Sequence, residues 1–198
     1  MPKIVDHEER RQEVLGAVWR LIGREGLDAA TTRRIADEAG YSIGAIQHYF
    51  QNKEDILVQA HLLAFSRASD RILRVTQGRT GVDALRLAMM EALPLDAERL
   101  LEAQVDVSFL GQAVGNPQLR RIRSTSNTES RAFWEGFVTA AQRTGEIAAD
   151  EDPGLIVDEI FALIESLSIE AIIAPERMTP EHQMVLVERF LTRVAAHR

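Results

Sequence analysis

Between Ser42 and Tyr49 the chain gathers the side chains best suited to recognition by hydrogen bonds: a hydroxyl at Ser42, a primary amide at Gln47, an imidazole at His48 and a phenol at Tyr49. Ile43 and Gly44 beside them are flat or small. A helix surface of this kind is what a DNA major groove admits, and a glutamine amide pairs with the N6 and N7 edge of adenine. Bond-making chemistry finds no comparable set. The five histidines (His7, His48, His61, His182 and His197) show no metal spacing with carboxylates, no Gly-rich loop is placed to cradle phosphate, and Ser42-Ile43-Gly44 lacks the flanking glycines and context of a nucleophile elbow. The chain has no cysteine, which removes disulfides, thiolate nucleophiles and cysteine metal sites together. The expectation is a binding protein, not an enzyme, with no metal and no cofactor.

The elements that must position these groups are short. Thr31 can cap a first helix ending near Ala39, with Gly40 supplying the positive φ of the exit, and Ser42 can cap a second helix through Tyr49, followed by Phe50. If the two cross steeply, as in a helix-turn-helix unit, Ile35, Ala36 and Ala39 share a small core with Tyr41, Ile46 and Phe50. Ser42, Ile43, Gly44, Gln47 and His48 then face outward. An ordinary helical hairpin has the same spacing, so spacing alone leaves both readings open. Upstream, Asp6 and Glu9 resemble a capping box, and Val14, Val18, Leu21 and Ile22 recur at helical period until Gly23 and Gly26 end the run. Trp19 flanks that stripe as a core or rim aromatic.

Composition bounds the function. The chain has 198 residues, 45% apolar and 27% charged, which is ordinary globular material. The formal net charge is -7, and residues 1–58 hold eight Lys or Arg against ten Asp or Glu. Nonspecific coating of nucleic acid needs many neutralised phosphates, so DNA binding here must rest on placement. The amino terminus has no apolar signal core, and the apolar stretch 155–174 is interrupted by Asp158, Glu159, Glu165 and Glu170. A soluble, cytoplasmic protein with no membrane partner is expected.

The stretch GLDAATTRRIADEAGYSIGAIQHYFQNKEDIL is similar to the amino-terminal signature of the TetR (tetracycline-repressor) family of bacterial regulators. The features carrying the resemblance are Thr31-Thr32, the IADEAG run, Ser42 and Gly44, the His48-Tyr49-Phe50 triplet, and Lys53 opening a long helix; the match spans about residues 10 to 60. It implies a three-helix DNA-binding head over 1–52 and a helical ligand-binding and dimerisation domain over 53–198, an all-α chain. Physics divides the contacts into those that locate the duplex and those that read it. Thr32 and Arg33, at the start of a helix with free amides, suit phosphate; the resemblance adds His48, Tyr49 and Lys53. Base reading falls to Ile43, Gly44 and Gln47, with Ser42 open between cap and contact. His48 also fits a structural role, and Lys53 also fits solvent or a pairing with Glu54. The family commonly carries tyrosine where this chain has Gln47, which removes a phosphate-contacting aromatic and puts a base-reading amide there.

From Lys53 to about Gln77 helical period persists for more than six turns, enough to link head and body, and in the family the corresponding helix transmits effector binding to head spacing. Further helices follow, stopped by Pro94, Gly115-Asn116-Pro117 and Gly145. Asp106 stands among apolar neighbours, where a carboxylate must neutralise an arginine, face solvent or meet a cationic ligand. Arg120, Arg121 and Arg123 read as a solvated or ion-paired face. Phe133, Trp134 and Phe137 form the densest aromatic cluster, either core or pocket lining. The candidate ligand set is Asp106, Phe109, Leu110, Trp134 and Phe137. The helix over 155–173 carries more apolar residues than one buried stripe needs. With the stripe Met184, Val187, Leu191 and Val194 it suits a two-fold, four-helix interface, with Ile156, Ile160, Leu163, Leu167, Val187 and Leu191 as its residues.

The expected function is a homodimeric transcriptional regulator, a repressor released from a pseudo-palindromic double-stranded DNA operator by a small-molecule effector. The alternatives are an effector-independent or activating regulator of the same fold, and a helical small-molecule or protein-binding module without DNA function.

Overall fold

A computed structural model of the chain describes residues 7–195. Along them run α1 (His7–Glu25), α2 (Thr32–Ala39), α3 (Ile43–Tyr49), α4 (Lys53–Thr76), α5 (Gly81–Ala92), α6 (Ala97–Gly115), α7 (Pro117–Arg143), α8 (Pro153–Ile173) and α9 (Pro180–Val194). The chain is all-α as expected; among the described residues the only extended pairing is an isolated bridge between Ile147 and Ala195. The expected cap at Asp6 and the histidine at 197 lie outside the described residues.

Helix boundaries follow from side chains that occupy free amides. The Thr31 hydroxyl accepts from the Arg34 amide at 3.4 Å, and that of Ser42 from the Ala45 amide at 3.2 Å, as the sequence predicts. Asn52, not singled out from the sequence, caps α4 by accepting from the Asp55 amide at 2.8 Å. Gly40, at φ 72°, closes α2 in the left-handed region, where a side chain would be strained. The starts of α7, α8 and α9 combine a cap at Asn116, Asp152 and Thr179 with proline in the first turn.

The buried residues form two clusters. The first joins Val14, Val18 and Leu21 of α1 to Ile35, Ile46 and Phe50, then to Ile56, Leu57 and Ala60 of α4, and continues into Val105 and Phe109 of α6 and Leu119 of α7. Trp19 therefore lies at the seam of head and body. Its indole donates to the Ala60 carbonyl at 3.2 Å, and the Arg67 guanidinium lies 4.6 Å from its ring centroid. Gly23 does not end α1, which runs on to Glu25. Its function is close approach: a Cβ there would meet Leu101 Cδ2 of α6 at 2.2 Å and Gln104 Oε1 at 2.9 Å. The modest helix cost of one glycine is offset by packing that no larger residue allows.

The second cluster packs α5, α7, α8 and α9 through Leu85, Met89, Trp134, Val138, Val157 and Ile160, with Val187 and Leu191. Five of the six residues expected in the dimer seam belong to this cluster. Ile156, Ile160, Leu167, Val187 and Leu191 are all buried within the single chain, and Leu163 packs partly against the same cluster. A side chain already covered by its own protomer has no surface to give a second one. The second apolar face of α8 lies elsewhere, along Leu155, Ala162, Ser166 and Ile173, with Leu155 and Ile173 63% and 73% exposed; Met184 and Val185 of α9 are exposed as well.

Candidate nucleic-acid interface and ligand cavity

The α2–α3 pair is fixed from behind and open in front. Ile35, Ala36, Ile46 and Phe50 are buried, and the Tyr41 hydroxyl donates to Glu13 of α1, a hydrogen bond that raises its pKa. On the opposite face Ser42, Ile43, Gly44, Gln47 and His48 are exposed, and Ile43 shows 45% of its surface. An apolar residue so open on a polar face suits contact with a thymine methyl. Around Gly44 the protein leaves open space, with only the Ser42 hydroxyl 4.0 Å from where a Cβ would be. What its missing side chain leaves is room for a surface brought from outside. The Ser42 hydroxyl is engaged as the cap of α3. His48 and Tyr49 meet edge to face at 5.4 Å, and Tyr49 is half-buried against the first cluster.

Charge between α1 and α2 is sorted by ion pairs. Glu38 accepts from Arg24 at 2.8 and 3.3 Å and from Arg20 at 2.8 Å, and those hydrogen bonds hold its carboxyl at about 2. Arg34 forms a bidentate pair with Glu25, both bonds 2.6 Å, which lowers the Glu25 pKa. These pairs clamp α2 against α1 and occupy three of the cations near the head. Arg33, exposed at the start of α2 beside the half-buried Thr32, makes no ion pair among the described residues. Lys53 lies 3.8 Å from a fully exposed Asp28 and not against Glu54, a contact too long and wet to hold it.

Within the body a cavity of about 370 Å³ opens between α4, α5, α6, α7 and α8. Of the five candidate ligand residues, Asp106, Leu110 and Trp134 line it. Phe109 and Phe137 do not. Phe109 is fully buried with its ring stacked on His61 at 4.1 Å, and Phe137 packs edge-on behind Phe133 and Trp134. Phe133, of the aromatic cluster named from the sequence, also lines the cavity; the aromatic walls missed from the sequence are Phe65 of α4 and Phe161 of α8, too far apart in the chain for spacing to unite them. Asp106 neutralises an arginine as anticipated: Arg123 donates to its Oδ1 at 2.6 Å, and His61 Nδ1 lies 2.9 Å from the same oxygen. Burial pushes the Asp106 carboxyl up, but His61 and Arg123 together pull it below its ordinary value, so it stays ionised. Arg120 and Arg121 are exposed, as expected. No described helix is long and apolar enough to cross a membrane.

Both the head and the body match known proteins. Residues 14–60 match the model of bacterial regulatory proteins of the tetR family, and residues 81–196 match that of the BetI-type transcriptional repressor, C-terminal. The HTH-type transcriptional regulator PksA of Bacillus subtilis is 26% identical over 91% of this chain and 87% of its own length. The HTH-type transcriptional repressor KstR2 of Rhodococcus jostii is 30% identical over 72% and 70%. A crystal structure of a transcriptional regulator from Saccharomonospora viridis, in complex with choline, superposes with a TM-score of 0.87 over 96% of this chain and 100% of that one, at 23% identity. The chain is therefore a member of the TetR family of bacterial transcriptional regulators, with a carboxy-terminal domain of the BetI type.

Proposed function

We propose that the chain is a homodimeric repressor that reads a pseudo-palindromic operator with α3 and leaves it when a small molecule fills the body cavity. The observation that carries the reading is the two-sidedness of α3. Its inner residues are locked into the first cluster, while Ile43, Gly44 and Gln47 stand exposed, and the Gln47 amide makes no hydrogen bond to the described residues. Gln47, Ile43 and Gly44 read base edges; Ser42 caps the helix. Thr32, Arg33, His48, Tyr49 and Lys53 engage phosphates and set the register. Because residues 1–58 carry more carboxylates than cations and three of the head's arginines are spent on α1–α2 ion pairs, one head binds weakly and two copies are needed for useful affinity.

The two heads are joined through the face that α8 and α9 leave open, with Leu155, Ala162, Ser166 and Ile173 against their two-fold mates and Met184 and Val185 flanking them. Ala162 and Ser166 permit close helix approach, and the large residues at the ends supply the apolar area. Support for a small-molecule effector comes from the cavity itself and from a neighbour of the same fold that holds choline.

The test is a mobility-shift titration, at several salt concentrations, of a palindromic fragment from the region upstream of the gene against a scrambled fragment. Specific binding at least 10³-fold above nonspecific is expected. Equal affinity for both fragments, or none at low salt, refutes the reading.

A further inference from the structure

The charges around the cavity are unevenly compensated. Around Glu102, Arg71 donates to it at 2.9 and 2.6 Å, and Glu91 lies 3.4 Å from Arg71 and 3.6 Å from Arg99: two guanidiniums for two carboxylates. One turn further along α6 a single guanidinium, Arg123, faces two carboxylates, Asp106 at 2.6 Å and Glu165 at 3.7 Å. Both short contacts to Asp106 converge on Oδ1, and Oδ2 accepts no hydrogen bond from the described residues. Asp106 keeps 35% of its side-chain surface uncovered and Glu165 42%, and both residues line the cavity. The Nε atoms of Arg71 and Arg123 have no acceptor, yet they are sealed from any probe and offer an anion nothing to reach. The same cavity has an apolar and aromatic wall in Phe65, Leu110, Phe133, Trp134 and Phe161.

We infer that the cavity takes a protonated amine with an apolar body, its ammonium donating to the free Oδ2 of Asp106 beside Glu165 and its tail lying along the aromatic wall. A carboxylate or phosphate placed beside Asp106 would meet two like charges and one guanidinium already engaged by both of them. An ammonium makes the charge-assisted hydrogen bond that Oδ2 lacks, and its carbon frame gains from the aromatic faces. The volume of about 370 Å³ falls in the range of pockets for small organic ligands. His61 and Arg123 hold the Asp106 carboxyl below its ordinary value against the opposing effect of burial, so the carboxylate is charged at neutral pH.

The assignment rests on the cavity being the effector site, so binding is measured on the full chain without DNA. Calorimetry compares phenylpropylammonium with phenylpropanoate and phenylpropanol, which share one carbon frame. The ammonium is expected to bind at least about tenfold more tightly than the carboxylate. Asp106→Asn, in which the retained amide oxygen can still meet Arg123, should abolish that preference, and the more exposed Glu165→Gln should reduce it. Equal or tighter binding of phenylpropanoate, no ammonium binding below about 10 mM, or an unchanged preference in Glu165→Gln and in a folded Asp106→Asn each overturns the assignment. Operator release is scored separately by mobility shift. An ammonium that binds in an Asp106-dependent way without releasing DNA upholds the amine site and refutes release by this cavity, whereas release by phenylpropanoate alone upholds release and refutes the amine.

Discussion

Replacing Gly23 with alanine should separate operator binding from folding. The added Cβ would lie 2.2 Å from Leu101 Cδ2, about 1.5 Å short of ordinary carbon contact. Either Leu101 turns aside or α1 and α6 move apart. Overpacking of this kind costs about 1–3 kcal/mol, and alanine in place of glycine inside a helix returns about 0.8–1 kcal/mol. The net loss of about 0–2 kcal/mol corresponds, for a chain of this size, to a fall of no more than about 8 °C in Tm. The head is more sensitive, because α1 carries the α2–α3 pair through the Tyr41 and Glu38 contacts. A displacement of about 1 Å exceeds the tolerance of a hydrogen bond to a base or phosphate, so operator affinity should fall at least about tenfold while thermal melting shows a folded protein. Leu101→Ala removes the atom that the new methyl strikes. In a double-mutant cycle read by mobility shift, Gly23→Ala with Leu101→Ala should therefore bind better than the sum of the single losses requires. Wild-type operator affinity in Gly23→Ala, or strict additivity in the cycle, refutes the view that this close approach seats the head.

Other perturbations follow from the same contacts. Gln47→Ala should relax discrimination at one operator position by about 1–3 kcal/mol, whereas Lys53→Ala should weaken all sequences alike and reduce the salt slope by about 1; the reverse pattern in mobility shifts over operator variants rejects the division of roles. Val185→Glu, on a residue 55% exposed, should give folded monomers in sedimentation; Ile160→Glu places a charge in the protomer core and should unfold it. A dimeric Val185→Glu moves the interface elsewhere. The Glu38 carboxyl is lowered from 4.5 to about 2 by Arg24 and Arg20. Its contribution is therefore present above about pH 4.5 and lost as pH falls toward 2. Glu38→Gln should flatten the fall in the urea midpoint across that window, and an unchanged acid limb shows that the pair contributes nothing measurable.

The head was legible because its signals are local. Thr31, Gly40 and Ser42 each act within four residues of their own position, and their geometry follows from capping chemistry alone. The body's sites draw on distant helices. Asp106 drew notice as a carboxylate among apolar residues, but its partners, His61 and Arg123, are brought to it by tertiary packing. The excess apolar surface of α8 was visible as well. Which half of it faces inward depends on where α7 and α5 lie, and the richer stripe through Ile156 and Ile160 turned inward, while the outer stripe mixes Leu155 and Ile173 with Ala162 and Ser166. Gly23 looked like a terminator because nothing in its neighbourhood announces Leu101, nearly eighty residues away.

The position of α6 constrains how an effector could act. Glu102, Ala103, Asp106, Val107 and Leu110 face the cavity, while Leu101 and Gln104 face Gly23 of α1, so one helix thickness separates ligand from head. Asp106 also contacts His61 of α4, one residue from the carbonyl that receives the Trp19 indole. A ligand bound to Asp106 therefore acts on both helices that seat the head. Taking an operator-competent population from about 99:1 to 1:99 needs a differential affinity of about 10⁴, or 5.5 kcal/mol. One hydrogen bond to a charged group contributes about 1.5–3 kcal/mol, too little by itself even if it formed in only one state. Two cavities in the proposed two-fold dimer double that figure to about 3–6 kcal/mol, which reaches the requirement only when both sites fill. Release governed by Asp106 should therefore be cooperative in ligand, with a Hill coefficient above 1 in mobility shifts. A hyperbolic release curve would mean that apolar contacts along the aromatic wall, and not the carboxylate, discriminate the two states.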